Sequence, residues 1–169
     1  EFRSDVERVL ASEPMTTDLF MACLASLSLL DGESPKEFEK TPPARYLLAI
    51  VTDFKRSAGL RATALRILPP TQAELDGPLL AGLLDSADEG LRREAVRTLQ
   101  HSPIAERDRM LRTIAADKSA SFGVRADAVA GLAGVGTVKP GRELLDLLVE
   151  LASSESAVPL RTEAIRTLR

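Results

Sequence analysis

The side chains that most often carry chemistry are scarce in this sequence. Cys23 is the only cysteine and His101 the only histidine. A catalytic thiol needs a neighbouring base or positive charge, and the pattern places none beside Cys23. His101 sits in the connector Gln100-His101-Ser102-Pro103, where no acid or thiol is set to orient it as a base. One His and one Cys leave a thiolate- or imidazole-ligated metal short of its usual four ligands. Gly131-Leu-Ala-Gly134-Val-Gly136 has the outline of a phosphate loop. Such a loop follows a strand and ends in Gly-Lys-Ser/Thr, and neither condition is met. Glycines that end a helix before the loop to Pro140 explain the run better. The carboxylates are scattered through turns and solvated faces. No catalytic constellation emerges, so the chain reads as non-enzymatic, with no cofactor and no metal.

The elements that position these residues follow one repeat. Leu60-Arg61-x-x-Ala64-Leu65-x-x-Leu68 recurs as Leu91-Arg92-x-x-Ala95-Val96-x-x-Leu99. It returns as Val124-Arg125-x-x-Ala128-Val129-x-x-Leu132 and as Leu160-Arg161-x-x-Ala164-Ile165-x-x-Leu168. A weaker copy is Leu19-Phe20-x-x-Cys23-Leu24-x-x-Leu27, which makes Cys23 the counterpart of a small core alanine. Successive copies start 41, 31, 33 and 36 residues apart. Positions 0, +4, +5 and +8 fall within a stripe about 140° wide on a helix, as a core-facing helix requires. An apolar helix precedes each good copy, over Arg45–Thr52, Pro78–Leu84, Glu106–Ala115 and Arg142–Ala152. Thr41-Pro42, Ser102-Pro103 and Thr71-x-x-Glu74 read as helix starts. A single helix pair cannot cover its own apolar stripe, so adjacent pairs must stack.

Composition agrees. Of 169 residues, 44% are hydrophobic and only 4% aromatic, a mix that suits helices and not sheets. The net charge of −3 speaks against a nucleic-acid module. The longest strongly apolar run, Leu19 to Leu30, is too short to span a bilayer, so no membrane insertion is expected. Seventeen of the 22 basic residues are arginine.

A turn bearing Asp followed by [Leu/Val]-Arg-x-x-Ala-[Val/Ile/Leu]-x-x-Leu resembles the HEAT repeat, in a compact bacterial form. The resemblance implies an all-α, right-handed α-α superhelix (solenoid) of about five helix pairs. The repeats fall at about 4–31, 42–69, 72–101, 103–135 and 140–169, with an insertion at 32–41, in one domain over 1–169. It further implies second helices lining the concave side, and a scaffold or spacer that binds a protein partner or other domains of a longer protein. Thr41-Pro42-Pro43-Ala44-Arg45-Tyr46 ahead of Arg-rich repeats also looks like the HEAT segment of planctomycete-type membrane-bound dehydrogenase or cytochrome proteins. That kinship would make the chain a structural segment of such an enzyme, in an extracytoplasmic setting. No haem-attachment Cys-x-x-Cys-His is present. The alkylpurine DNA glycosylases built on HEAT-like repeats offer a DNA-binding alternative, which the charge and the lone Tyr46 disfavour.

Two arginine series run through the repeat. The +1 series, Arg61, Arg92, Arg125 and Arg161, lies within the apolar stripe and reads as a buried structural ladder. Asp53, Asp85 and Asp117 are its expected partners; the fourth copy has Ser153 and Ser154 there. The +6 series, Arg66, Arg97 and Arg166, points away from the core and is the candidate surface for an anionic partner. Its competing role is pairing with Glu94 and Glu163 three residues earlier. At the ends, the last pair keeps its leucines and Ile165 without a polar outer face, and the helix from Leu19 is apolar nearly all round. Uncapped ends of this kind predict self-association or continuation of the repeats, with Ser34 to Phe38 able to form a short covering helix.

Overall fold

The computed structural model describes residues 2–12, 15–34, 44–133, 141–153 and 157–168. Among them are ten α-helices and no strand, so the chain is all-α as its composition and period require. They divide into two compact units, 1–68 and 69–169, parted at the end of the second repeat. Past Ser34, the expected short helix at 34–38 lies outside the described residues, as does the loop to Pro140.

The first unit contains α1 (Phe2–Leu10), α2 (Thr17–Leu30), α3 (Ala44–Thr52) and α4 (Ala58–Ile67). α1 packs on α2 and α3 on α4. Phe20, Leu24, Leu47, Val51 and Leu65 are buried. Cys23 is buried in its repeat slot, and burial pushes its thiol above the usual range. α2 is not covered all round, because Leu19, Leu29 and Leu30 stay exposed. It stops at Gly32, whose φ of 84° only glycine adopts without strain. Just before it, the C-cap residue Asp31 accepts from Arg3, from the Tyr46 hydroxyl and, at 3.1 Å, from Arg45. These contacts join α1, α2 and α3.

The second unit contains α5 (Gly77–Leu84), α6 (Glu89–His101), α7 (Arg107–Ala116), α8 (Phe122–Ala133), α9 (Arg142–Ser153) and α10 (Val158–Thr167). Each first helix packs on its second: α5 on α6, α7 on α8, α9 on α10. The second helices also pack serially, with α8 against both α6 and α10. Leu80, Leu83, Leu91, Val96, Leu99, Leu111, Val129, Leu148 and Leu160 form the core.

Helix starts obey a rule finer than the sequence reading. The amide of the position-0 residue is bonded by a side chain three residues earlier: Thr16 to Leu19, Ser57 to Leu60, Asp88 to Leu91, Ser121 to Val124. Each such cap is worth about 1 kcal/mol. Two expected start signals fail. Thr71 to Glu74 lies in turns, and Asp76 caps α5 instead, accepting from Leu79 at 2.9 Å. Ser102-Pro103 precedes a turn, and α7 begins only at Arg107. In both cases the cap needs an acceptor directly before the first helical residue, which these sites do not supply.

Gly131 also differs from expectation. It lies inside α8 rather than ending a helix, and proximity explains it. A Cβ there would sit 2.6 Å from Gln100 Cγ and 3.1 Å from Leu111 Cδ1. The backbone of α8 needs that closeness, because Gln100 Nε2 donates to Asp127 O at 2.5 Å. Gly131→Ala should therefore destabilise the protein by about 1–3 kcal/mol, although alanine is the better helix former. Combining it with Gln100→Ala should recover part of the loss, as read from denaturant melts; a stabilising Gly131→Ala would show that the helices are not this close.

Candidate functional site

The repeat brings its arginines to the ends of helices, and the +1 ladder shows how. Arg61 and Arg125 are buried. Arg61 Nε donates to Val51 O at 2.9 Å, and Arg125 Nε to Ala115 O at 2.9 Å. Both acceptors are in the last turn of the preceding helix, α3 or α7, where carbonyls have no partner within the helix. A cation there also meets the negative end of the helix dipole. The expected carboxylate partners are thus replaced by backbone carbonyls. Asp53 and Asp117 act at longer range: burial lowers the Arg61 pKa, and Asp53 opposes that shift. The Phe54 ring, itself largely exposed, covers the Arg61 guanidinium at 4.6 Å.

Arg92 departs from the pattern, and turn length gives the reason. Five residues, 53–57 or 117–121, precede the helices of Arg61 and Arg125, but only four, 85–88, precede α6. Arg92 is half-buried, and its Nε is buried without a hydrogen-bond partner. Its charge helps to lower the pKa of Asp117 in the following turn. Asp117 accepts from the Ser119 hydroxyl at 2.6 Å and from the Ser119 amide at 2.9 Å. Those bonds, with help from Arg92 and Arg125, hold its carboxyl below the usual range against the cost of burial. The fourth rung is not in the ladder, since Arg161 is exposed and makes no ion pair among the described residues.

The +6 residues Arg66, Arg97 and Arg166 are all exposed. Arg97 Nη1 lies 2.9 Å from Glu94 Oε1, and Arg166 Nη1 lies 2.6 Å from Glu163 Oε1. Both are the pairings three residues earlier. A contact between helices accompanies them: Arg93 Nε meets Asp127 Oδ2 at 3.0 Å, with Arg97 Nε 3.9 Å from the same oxygen. Asp127 thereby raises the Arg93 pKa. Arg93 and Asp127 were not singled out from sequence. Their signal was an arginine pair four apart on one second helix and a carboxylate at +3 of the next.

Arg107 is a second residue that the repeat pattern passes over. Its Nε donates to Gln100 O at 2.9 Å and its Nη2 to Gly131 O at 2.7 Å. One guanidinium so ties the C-terminal turns of α6 and α8. His101 is the exposed last residue of α6. No group of three His, Cys, Asp or Glu able to hold a metal occurs among the described residues. No helix among them is long and apolar enough to cross a membrane. Compared with protein-family models, curated proteins and solved structures, the chain gives no match.

Two outcomes follow from this geometry. Arg125→Ala should cost about 2–3 kcal/mol, the worth of a charged hydrogen bond plus the space left, while Arg161→Ala costs under about 0.5 kcal/mol in dilute solution. Equal losses in denaturant melts would mean that the ladder has no buried rungs. Asp117 should also make stability depend on pH. Its folded pKa is lowered, so its contribution is present above the ordinary carboxylate value near 3.9 and lost as pH falls through the lowered value. The stability gap between the protein and Asp117→Asn should be constant from about pH 5 to 8 and close in stronger acid; a gap that persists there would remove Asp117 from the network.

Proposed function

We propose that this chain is a non-catalytic scaffold: a right-handed superhelix of about five HEAT-like helix pairs that binds a protein partner or holds other domains in place. The observation that carries the reading is the serial packing of α6, α8 and α10 in one repeat register. Pairs that pack this way expose one face of every second helix in a row, an extended surface for recognition. On that surface Arg97 and Arg166 would meet carboxylates of a partner, and Arg66 holds the same register position on α4 for the same role. Glu94, Glu163 and Asp127 already hold Arg97 and Arg166, so a partner has to displace those carboxylates. Recognition of that kind is modest in strength and sensitive to salt.

Scattering tests the architecture. A compact domain of 169 residues has a radius of gyration of about 15 Å. The superhelix should exceed that clearly in dilute solution, and a value at 15 Å would sink it. Titration with a glutamate-rich peptide tests the row: Arg66→Glu with Arg97→Glu, or high salt, should weaken binding about tenfold or more. An affinity that ignores both changes would leave intrahelical pairing as the row's whole role.

A further inference from the structure

The second helices of the second unit pack on one another, with α8 against both α6 and α10. The first helices α5 and α7 have no comparable contact. Between them, in the middle of the chain, lies an open cleft of about 290 Å³. Ala81 and Leu84 of α5, with Met110 and Ile114 of α7, give it an apolar lining, to which Thr113 adds a hydroxyl. Leu84, Met110 and Ile114 are half-buried. Small-molecule sites usually measure about 300–1,000 Å³, so this cleft has room for one or two side chains rather than a cofactor.

Two charges stand at its rim. Asp85 and Arg109 are exposed and line the same cleft, yet no ion pair joins them. Asp85, which the repeat pattern matched with Arg92, is the C-cap residue of α5. Among the described residues its carboxylate has no hydrogen bond or ion pair, whereas Asp53 pairs with Arg56 and Asp117 accepts from Ser119. Arg109 is third in α7 and is likewise unpaired among those residues. An anion at a helix C-terminus and a cation at a helix N-terminus both oppose the helix dipole. Each gains from a counter-charge, and the described residues supply neither. We propose that the cleft holds a segment of a partner protein in which an aliphatic side chain stands between a basic and an acidic residue. The aliphatic group fills the space between α5 and α7, the base meets Asp85, and the acid meets Arg109. The exposed rim suits a segment lying across the cleft better than a free amino acid, which would stay largely in water. This binding rests on the scaffold reading only in naming a protein as partner. It uses none of Arg66, Arg97 and Arg166, so either surface can fail without the other.

Titration of the whole chain with the end-capped peptide Ser-Lys-Leu-Glu-Ser, followed by amide shifts in magnetic resonance spectra, tests the proposal. Saturable shifts centred on 81–85 and 109–114 are expected, with a Kd of about 1 mM or tighter. Serine in place of the peptide's leucine should weaken binding about tenfold or more, and so should Ala81→Phe, which fills the cleft from an exposed position. Asp85→Lys should turn the preference to Ser-Glu-Leu-Glu-Ser, and Arg109→Glu should turn it to Ser-Lys-Leu-Lys-Ser. Both variants follow the helix dipole, so they should fold at least as well as the parent chain. Arg66→Glu with Arg97→Glu should leave this binding unchanged. Shifts that fail to saturate by about 10 mM overturn the proposal. So do charge variants that bind the three peptides alike, or free leucine that binds as tightly as the peptide.

Discussion

Every helix leaves carbonyls unbonded at its C-terminal end, and the ten short helices among the described residues have many of them to answer without water. Arginine provides much of that answer here. Arg61 and Arg125 reach the last turns of the helices before them, and Arg107 reaches two helix ends at once. A guanidinium suits the task because its donors are fixed in a plane and it remains charged when buried. The arrangement joins two problems: the carbonyls gain donors and the buried cations gain acceptors, although Arg61 Nη2 stays buried without one. Neither group could be buried alone at tolerable cost.

Close approach makes this bonding feasible. Ala64, Ala95, Ala128 and Ala164 are fully buried at the same repeat position, so the second helices carry no bulk where neighbours press. Gly131 extends the logic to a spot where even a methyl group would collide. Small residues bring backbones together; longer side chains such as Gln100 and Arg107 then span from one helix to the next. The capped helix starts complete the frame, since Ser57, Asp88 and Ser121 fix where each second helix begins and hence where its +1 arginine lies.

On the solvent side the same residue type plays a different part. Arg93, Arg97 and Arg166 are matched by Asp127, Glu94 and Glu163, so the exposed cations are largely offset within the protein. A surface of that kind does not draw anions over a distance as an unpaired basic row would. It favours short-range, geometry-dependent exchange of one carboxylate for another. The proposed scaffold role therefore calls for a protein partner rather than a phosphate backbone, in keeping with the net charge of −3.

By itself the sequence determined that the chain is all-α, where most helices lie, and which residues of α6 and α8 face the core. Those properties rest on local period and propensity, which a repeated Leu-Arg-x-x-Ala pattern makes plain. It also held the cue to the uneven ladder, since Asp85 precedes its repeat by one residue fewer than Asp53 and Asp117 do. Only the tertiary structure decided what the arginines bond. Carbonyls at helix ends are backbone groups, carried by every residue, so no residue type marks them in advance. Likewise Thr71 and Ser102 look like caps in isolation, yet a cap acts only where the next residue turns helical, and that is set by how the preceding helix packs. The closeness at Gly131 and the meeting of Arg93 with Asp127 depend on the distance between α6 and α8, 34 residues apart at that contact. Distance of that sort is fixed by the fit of whole helices against one another, not by any local stretch of chain.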